Sequence, residues 1–429
     1  MSTVHAGWRS ARRILCVRLD SLGDVLMCTP ALRALRAALP GRQLTLLGSA
    51  AGAAALPFIP ELDDVIVHAA PWMNGAATDP ADDASASGFS GGPPSPSGLG
   101  ELGSPGDPGS SGSSASFGNA GFGTAAVGRT GQADLALVDT LAARAFDAAV
   151  IFTTYTQSAL PAALLCHLAG IPLRLAHCRE NPYRLLSDWV PDPEPASTVR
   201  HEVQRQLALV GHVGCIPGDL GLSFVPRAAN HAAATACLRG AGVDPGRPWI
   251  LLHPGASAAS RRYPAGHWAQ AIALLSAATD VPLVLAGSAA DVDLVEDIRR
   301  RAGLPPPALP TLAGRLGLGE LSAALRMAAV AVANNSGPAH IAAAVGTPLV
   351  DLYALTNPQH TPWGTRSRVL FHDVPCRFCF KSTCPQGHHD CLAGVAPRRV
   401  AEAVLDLLHR GAAGPPAVLA EAAVPADDG

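Results

Sequence analysis

Two blocks of alternating strand-like and helix-like runs constrain this chain more than any other feature. In the first block RILCVRL (13–19) reads as a buried strand, 25–38 as a helix, and LTLLG (44–48) and DVIVH (64–68) as further strands. The alternation resumes with a helix in LALVDTLAARAF (135–146), the strand AAVIFTT (148–154), a helix near 158–169 and another over 198–211. The second block runs WILLHPG, helix 265–278, PLVLAG, helix 290–302, a short segment near Leu312, helix 320–327, the strand AAVAVA (328–333), helix 338–345 and the strand PLVDLY. Short runs that are apolar throughout suit strands covered on both faces, and helices between them supply the covers. The expected fold class is α/β, with two doubly wound parallel-sheet domains.

Between the halves of the first block the pattern stops. From about Asn74 to Ala133 the chain is Gly, Ser, Ala and Pro with few charges and almost no β-branched or aromatic residues. Such a segment buries too little apolar surface to offset its ordering entropy, so a disordered low-complexity insertion is expected over 74–133. The expected organisation is a first domain in two parts (1–73 and 134–225), a connector at 226–247 carrying Pro226 and Pro245, a second domain at 248–410, and a flexible tail at 411–429.

Composition narrows the function classes. At 429 residues the chain has room for two or three cores, and a net charge of -3 leaves no electrostatic footprint for nucleic acid. No apolar run reaches the eighteen or so residues of a membrane span, and the N-terminus passes straight into strand-like sequence without a signal-peptide cleavage pattern. Six of the ten cysteines are scattered singly (Cys16, Cys28, Cys166, Cys178, Cys215, Cys237), as expected of reduced thiols in a cytoplasmic protein.

Three strand-to-helix turns carry the chemistry. In DSLGDVLMCTPALRAL (20–35) Gly23 provides a turn and a helix starts at Asp24 or just after. A carboxylate there is stabilised by free N–H groups and the helix dipole, so Asp24 reads either as a helix cap or as a reactive group at the carboxyl edge of the sheet. LHPGASAASRRYP (252–264) offers Gly255 and Ser257 and places Arg261 and Arg262 ahead of a helix, where guanidinium forks suit phosphate oxygens. NNSGPAHIAAAVGTP (334–348) turns through Ser336, Gly337 and Pro338 into a helix, the geometry of an anion site. Neither G-x-x-x-x-G-K-[ST] nor a G-x-G-x-x-G after the first strand is present, which disfavours P-loop hydrolysis and dinucleotide redox chemistry.

In this order and at these distances, the three turns resemble glycosyltransferase family 9, the heptosyltransferases of lipopolysaccharide core assembly. LDSLGDVLMCTPALRAL resembles the family's N-terminal G-D turn, LLHPGASAASRRYP its H-P-G segment, PLVLAGSAAD its L-x-G strand end, and NNSGPAHIAAAVGTP its N-D-S-G-P-x-H signature. HEVQRQLALVG (201–211) resembles its interdomain helix, and the likeness spans about 13–72 and 135–409. The resemblance implies a GT-B fold, two Rossmann-like domains facing across a cleft. It also implies inverting transfer of heptose from ADP-heptose to a lipid-linked core acceptor at the cytoplasmic membrane face, with no cofactor required.

Carried over by position, Asp24 matches the family's general base. Arg261, with Arg262 beside it, matches the cation that meets the donor diphosphate, with Ser257 in the same turn. Ser336 and Gly337 match the diphosphate-side loop, and His340 the family's histidine. Asn335 departs from the aspartate many members carry and bears on the identity of the donor sugar. Transfer of another nucleotide-activated sugar to a different surface glycan is the alternative within the same chemistry.

CRFCFKSTCPQGHHDCL (376–392) needs its own account. Cys376, Cys379, Cys384 and Cys391 have the ligand type of a structural zinc or iron–sulfur site, although the spacing requires both pairs to fold onto one point. Reduced thiols and a disulfide are the other readings. A metal- or redox-sensing module would make this cluster the active centre instead.

Overall fold

The structure, a computed structural model, describes residues 6–73 and 124–410. The expected insertion falls, over 74–123, outside the described residues, as does the expected tail.

The first sheet has six parallel strands in the order β3-β2-β1-β4-β5-β6: β1 Arg13–Arg18, β2 Gln43–Gly48, β3 Asp64–Val67, β4 Ala148–Ile151, β5 Leu173–Cys178 and β6 Asp188–Pro191. Its helices are α1 (Leu22–Ala37), α2 (Ala50–Ala53), α3 (Thr124–Ala143), α4 (Leu160–Leu168) and α5 (Glu202–Gly211). Helix α6 (Ala228–Gly240) lies within the expected connector. The second sheet has five parallel strands in the order β11-β10-β9-β7-β8: β7 Ile250–His253, β8 Leu283–Leu285, β9 Val330–Asn334, β10 Leu349–Leu352 and β11 Ser367–Leu370. Around it stand α7 (Ala265–Ala278), α8 (Val292–Ala302), α9 (Leu318–Met327), α10 (Gly337–Ala344), α11 (Asp390–Ala393) and α12 (Pro397–Arg410).

Each strand sorts its side chains onto two apolar faces, as the period of two requires. Ile14 and Cys16 enter one core and Leu15 and Val17 another; Leu251 enters one, Ile250 and Leu252 another. One core is shared. It runs from Ile14, Leu44 and Val150 under the first sheet through α1 and α10 to Leu251, Ala331 and Leu349 under the second. A fully buried Leu, Ile or Val contributes about 1.5–3 kcal/mol, so the joint core fixes how the two sheets face.

The helix expected over 198–211 opens only at Glu202, and two further boundaries differ from expectation. Helix α1 opens at Leu22 with Ser21 as its N-cap, so Gly23 lies inside the first turn and Asp24 is the third helical residue. Helix α3 opens at Thr124 rather than near 135, so it begins within the stretch expected as insertion.

Strand order places the functional edges. In doubly wound sheets ligands sit beyond the carboxyl ends of the strands where the order reverses. In the first sheet that point lies between β1 and β4, and in the second between β7 and β9. The residues after β1 and β4 are Asp20 to Asp24 and Thr153 to Gln157. After β7 and β9 come Gly255 to Arg262 and Asn335 to Gly337.

Candidate active site

The two reversal points open onto one cleft. It encloses about 640 Å³ up to its open mouth, within the range that holds a sugar nucleotide. Asp20, Ser21, Asp24, Thr154 and Gln157 line it from the first sheet, and Arg261, Asn335, His340, Gln359, His360 and Phe380 from the second.

The first-sheet edge is built on Arg18, the last residue of β1 and completely buried. Its guanidinium meets Asp20 at 2.8 Å, Asp24 at 3.1 Å and Glu202 at 2.7 Å. Three carboxylates on one cation leave surplus negative charge in a poorly solvated place, which acts unequally on them. Asp24 Oδ2 accepts from the Ser21 backbone N–H at 3.2 Å and the Ser21 hydroxyl at 2.6 Å, while His360 Nε2 stands 3.3 Å from Oδ1. Burial works against its ionisation, but His360 and Arg18 outweigh burial and hold Asp24 well below the usual carboxylate range. Asp20 accepts from Gln157 Nε2 at 2.6 Å. Burial pushes Asp20 up to about 6, with Arg18 and Gln157 pulling it down and the charges of Asp24 and Glu202 adding to the rise.

Contacts across the cleft bind the two halves. Glu202 opens α5, and its backbone N–H donates to the Gln359 carbonyl at 3.0 Å; the His201 ring lies 2.9 Å from the Thr361 carbonyl. Trp363 Nε1 donates to the Leu220 carbonyl at 2.8 Å. Where α1 and α10 meet, a Cβ on Gly23 would collide with the His340 ring, so glycine there serves close approach rather than a turn. His340 is buried against this junction, and burial together with neighbouring His360 pushes it down to about 3, which keeps its ring neutral near pH 7. At the far lip Tyr155 meets Phe380 edge-to-face at 5.9 Å.

The second-sheet edge is held by main-chain and amide bonds. Asn334 accepts from the Tyr263 N–H at 3.1 Å and donates to the Pro254 carbonyl at 2.7 Å, joining the β7 and β9 turns. Asn335 accepts from the Ala354 N–H at 3.2 Å. Ser260 bonds through its N–H to the Ser382 carbonyl and through its hydroxyl to the Lys381 carbonyl, which hangs the Arg261 turn on the cysteine-rich segment. Among the described residues, Arg261 Nε is buried with no hydrogen-bond partner. Arg262 is exposed and turns back to the Ala256 carbonyl at 2.8 Å.

Of the residues singled out from sequence, Asp24, Arg261, Asn335 and His340 come together around the cleft. Ser257, Arg262, Ser336 and Gly337 are not among its lining residues. Ser257 is exposed, Ser336 bonds to the Asn334 carbonyl at 3.2 Å, and Gly337 faces the Leu22 side chain, so α10 points its first turn at α1. No local pattern singles out Arg18, Glu202, Gln157 or His360. The signal for the first two was a charged residue at a predicted strand end and another heading the helix at 201–211.

In the cysteine-rich segment all four thiols are free, and Cys376 Sγ lies 3.6 Å from His388 Nε2. Burial raises the Cys391 thiol, and the other three cysteines stand near enough to add to the effect. Among the described residues no group of three or more His, Cys, Asp or Glu is gathered closely enough to hold a metal ion. Nor, among them, is any helix long and apolar enough to cross a membrane.

Comparison with known proteins agrees with this geometry. Residues 135–389 match the model of glycosyltransferase family 9 (heptosyltransferase). Lipooligosaccharide heptosyltransferase 2 of Campylobacter jejuni is 27% identical over 166 residues, 38% of this chain and 52% of that protein. Lipopolysaccharide heptosyltransferase 2 of Escherichia coli K12 is 29% identical over 259 residues, 57% of this chain and 72% of that protein. The chain spans about half the length of the first curated relatives it matches. The solved E. coli ADP-heptose lps heptosyltransferase II superposes with a TM-score of 0.63 at 22% identity, covering 94% of this chain and 100% of that one, and the shared architecture is the GT-B fold.

Proposed function

The chain belongs to glycosyltransferase family 9, and we propose that it transfers heptose from ADP-heptose to a hydroxyl of a lipopolysaccharide core acceptor, with inversion. The observation that carries this reading is the pairing of two edges across one cleft: a carboxylate pair on one side, and on the other an arginine whose buried Nε has no hydrogen-bond partner among the described residues. The acceptor oxygen attacks the anomeric carbon as the bond to the diphosphate breaks, and the hydroxyl proton passes to the pair Asp20 and Asp24. Asp24 holds the position of the family's base. Arg261 stabilises the charge that grows on the departing diphosphate, a contact that is worth most in the transition state. His340, neutral and buried, shapes the floor between the two. Asn335 offers an amide to a donor hydroxyl where an aspartate would offer charge.

No step of this reaction calls on a cofactor. The cysteine-rich segment has a structural part here, since it suspends the Arg261 turn through Ser260. The acceptor is proposed to be lipid-linked and met at the cytoplasmic face of the membrane.

A binding and turnover screen of ADP-, UDP-, GDP- and CMP-sugars tests the assignment. ADP-heptose is expected to bind at least about tenfold tighter than the others, roughly 1.4 kcal/mol, and to be the donor consumed. Preference for a non-adenine donor would remove the heptose assignment and leave the fold untouched.

A further inference from the structure

The loop that follows β10 walls the cleft, yet the transfer step described above gives it no task. We infer that Gln359, on this loop, reads a hydroxyl of the sugar being transferred and so helps to set which donor is accepted. The inference rests on the glycosyl-transfer reading above and deepens it.

The loop is tied to both halves of the chain. At its start Leu352 stands in register with Asn334, and Asn335 donates its N–H to the Leu352 carbonyl and accepts from the Ala354 N–H, each at 3.2 Å. Those bonds fix it to the turn after β9. Further on, the Gln359 carbonyl accepts from the Glu202 N–H at 3.0 Å, which fixes it to α5. Between the two ties the buried Tyr353 staples the loop to itself. Its hydroxyl donates to the Asn357 carbonyl at 2.6 Å and accepts from the His360 N–H at 3.3 Å. Pro358 stiffens the turn so closed. A wall held by main-chain bonds in this way presents its side chains in place before a ligand arrives.

Gln359 carries the group left over. It lines the cleft, is only 3% exposed, and its Oε1 has no hydrogen-bond partner among the described residues. An amide oxygen shut away from water and unpaired is costly, and a ligand hydroxyl that reaches it removes that cost. An amide offers both an acceptor and a donor, and a hydroxyl answers either. It carries no charge, so it suits a neutral polyol better than a phosphate. Position selects the sugar. The next residue, His360, stands 3.3 Å from Asp24, and Arg261 lines the same cleft from the turn after β7. The transferred sugar is bonded to the diphosphate and attacked from the carboxylate side, so it fills the space that this stretch of loop walls. A buried amide waiting for a hydroxyl also rejects a donor that lacks it, because the amide then stays unpaired.

Donors that each lack one sugar hydroxyl test this against Gln359→Leu and Gln359→Met, the second keeping the length of the side chain without its polar atoms. Both substitutions leave the carbonyl that meets Glu202, so the loop keeps its anchor. In each variant kcat/KM for ADP-heptose should fall at least about tenfold. The Kd of ADP, which lacks the transferred sugar, should stay within about twofold and report an intact cleft, and the acceptor KM should not move. One deoxy donor should be penalised at least about tenfold in the wild-type protein and hardly at all in either variant, the coupling expected of two groups that meet. Equal penalties for every deoxy donor in wild type and variants, or a loss confined to the acceptor KM, would overturn the inference and leave heptosyl transfer standing. A fall in ADP affinity as large as the fall in kcat/KM would overturn it too, since the loop would then serve the nucleotide. Wild-type protein that does not consume ADP-heptose would instead overturn the reading beneath it.

Discussion

The two edges of the cleft are built on opposite electrostatic plans. At the first-sheet edge every charge has company, with Arg18 holding three carboxylates and a second buried arginine, Arg205 on α5, holding Asp192 and Glu194. At the second-sheet edge the scaffold is neutral amide and main chain, and Arg261 has a buried nitrogen with no partner. The first edge is finished before substrate arrives. The second keeps a guanidinium nitrogen without a partner among the described residues, which on the reading proposed above a donor diphosphate would supply. The difference shows where folding stability and ligand affinity are held apart in one site.

Replacing each arginine in turn gives the largest expected contrast. Arg18→Met leaves three carboxylates without their cation in a buried place and should lower folding stability by about 3–5 kcal/mol in chemical denaturation. Arg261→Met should leave stability within about 1 kcal/mol and weaken ADP binding by at least about tenfold by calorimetry. Equal stability losses would erase the distinction between the edges.

Next in size is the junction where the edges touch. Gly23→Ala drives a methyl group into the His340 ring and should cost about 1–3 kcal/mol, much of it recovered in the Gly23→Ala, His340→Ala double variant. Additive losses measured by thermal unfolding would show that the two positions do not share one contact.

The smallest effect is a pH dependence of stability. Burial pushes His177 and His201 down to about 4 and His340 to about 3. Each is neutral in the fold, so their contributions are complete above about 6.5, the ordinary histidine value, and are lost as pH falls toward the folded values. Asp20 has the opposite sign, because its raised value favours the fold at lower pH and that gain fades as pH rises through about 6. The lowered histidines, with His253 also pushed down by burial, outnumber the two carboxylates that burial raises, Asp20 and Asp351, and predict a melting temperature that falls as pH drops from 7 to 4.5. A flat or rising profile by calorimetry would mean that the histidines protonate without unfolding anything.

Much of this architecture was readable in the chain, for reasons that differ by element. RILCVR and ILLH announce themselves because both faces are buried and every residue is apolar or terminal. Strands β6 and β11 did not stand out: DWVP and SRVL are short, half-exposed edge strands whose sequences carry no period. Helix α12 follows directly on a cysteine-rich run without helical period, and its apolar residues take their meaning from packing on α7 and the second sheet. In the site, Asp24 and Arg261 were visible as charged residues at strand-to-helix turns. Asp20 was visible in the same turn, but its surroundings were not: burial, which raises it most, and contacts with Gln157 and Glu202 come from parts of the chain far away in sequence. His360 lies in a loop without pattern and acquires meaning only when the second half of the chain folds back onto α1. Gly23 was identified correctly as special and for the wrong reason: the constraint is a ring from the other half of the chain.

The meeting of Gly23 and His340 also sets a limit on how closely the two sheets can approach. With the first turns of α1 and α10 in contact and apolar core running through both, that side of the cleft has no room to close further. A larger side chain at position 23 would have to widen the gap between Asp24, one residue on, and His360, which stands 3.3 Å from it across the cleft.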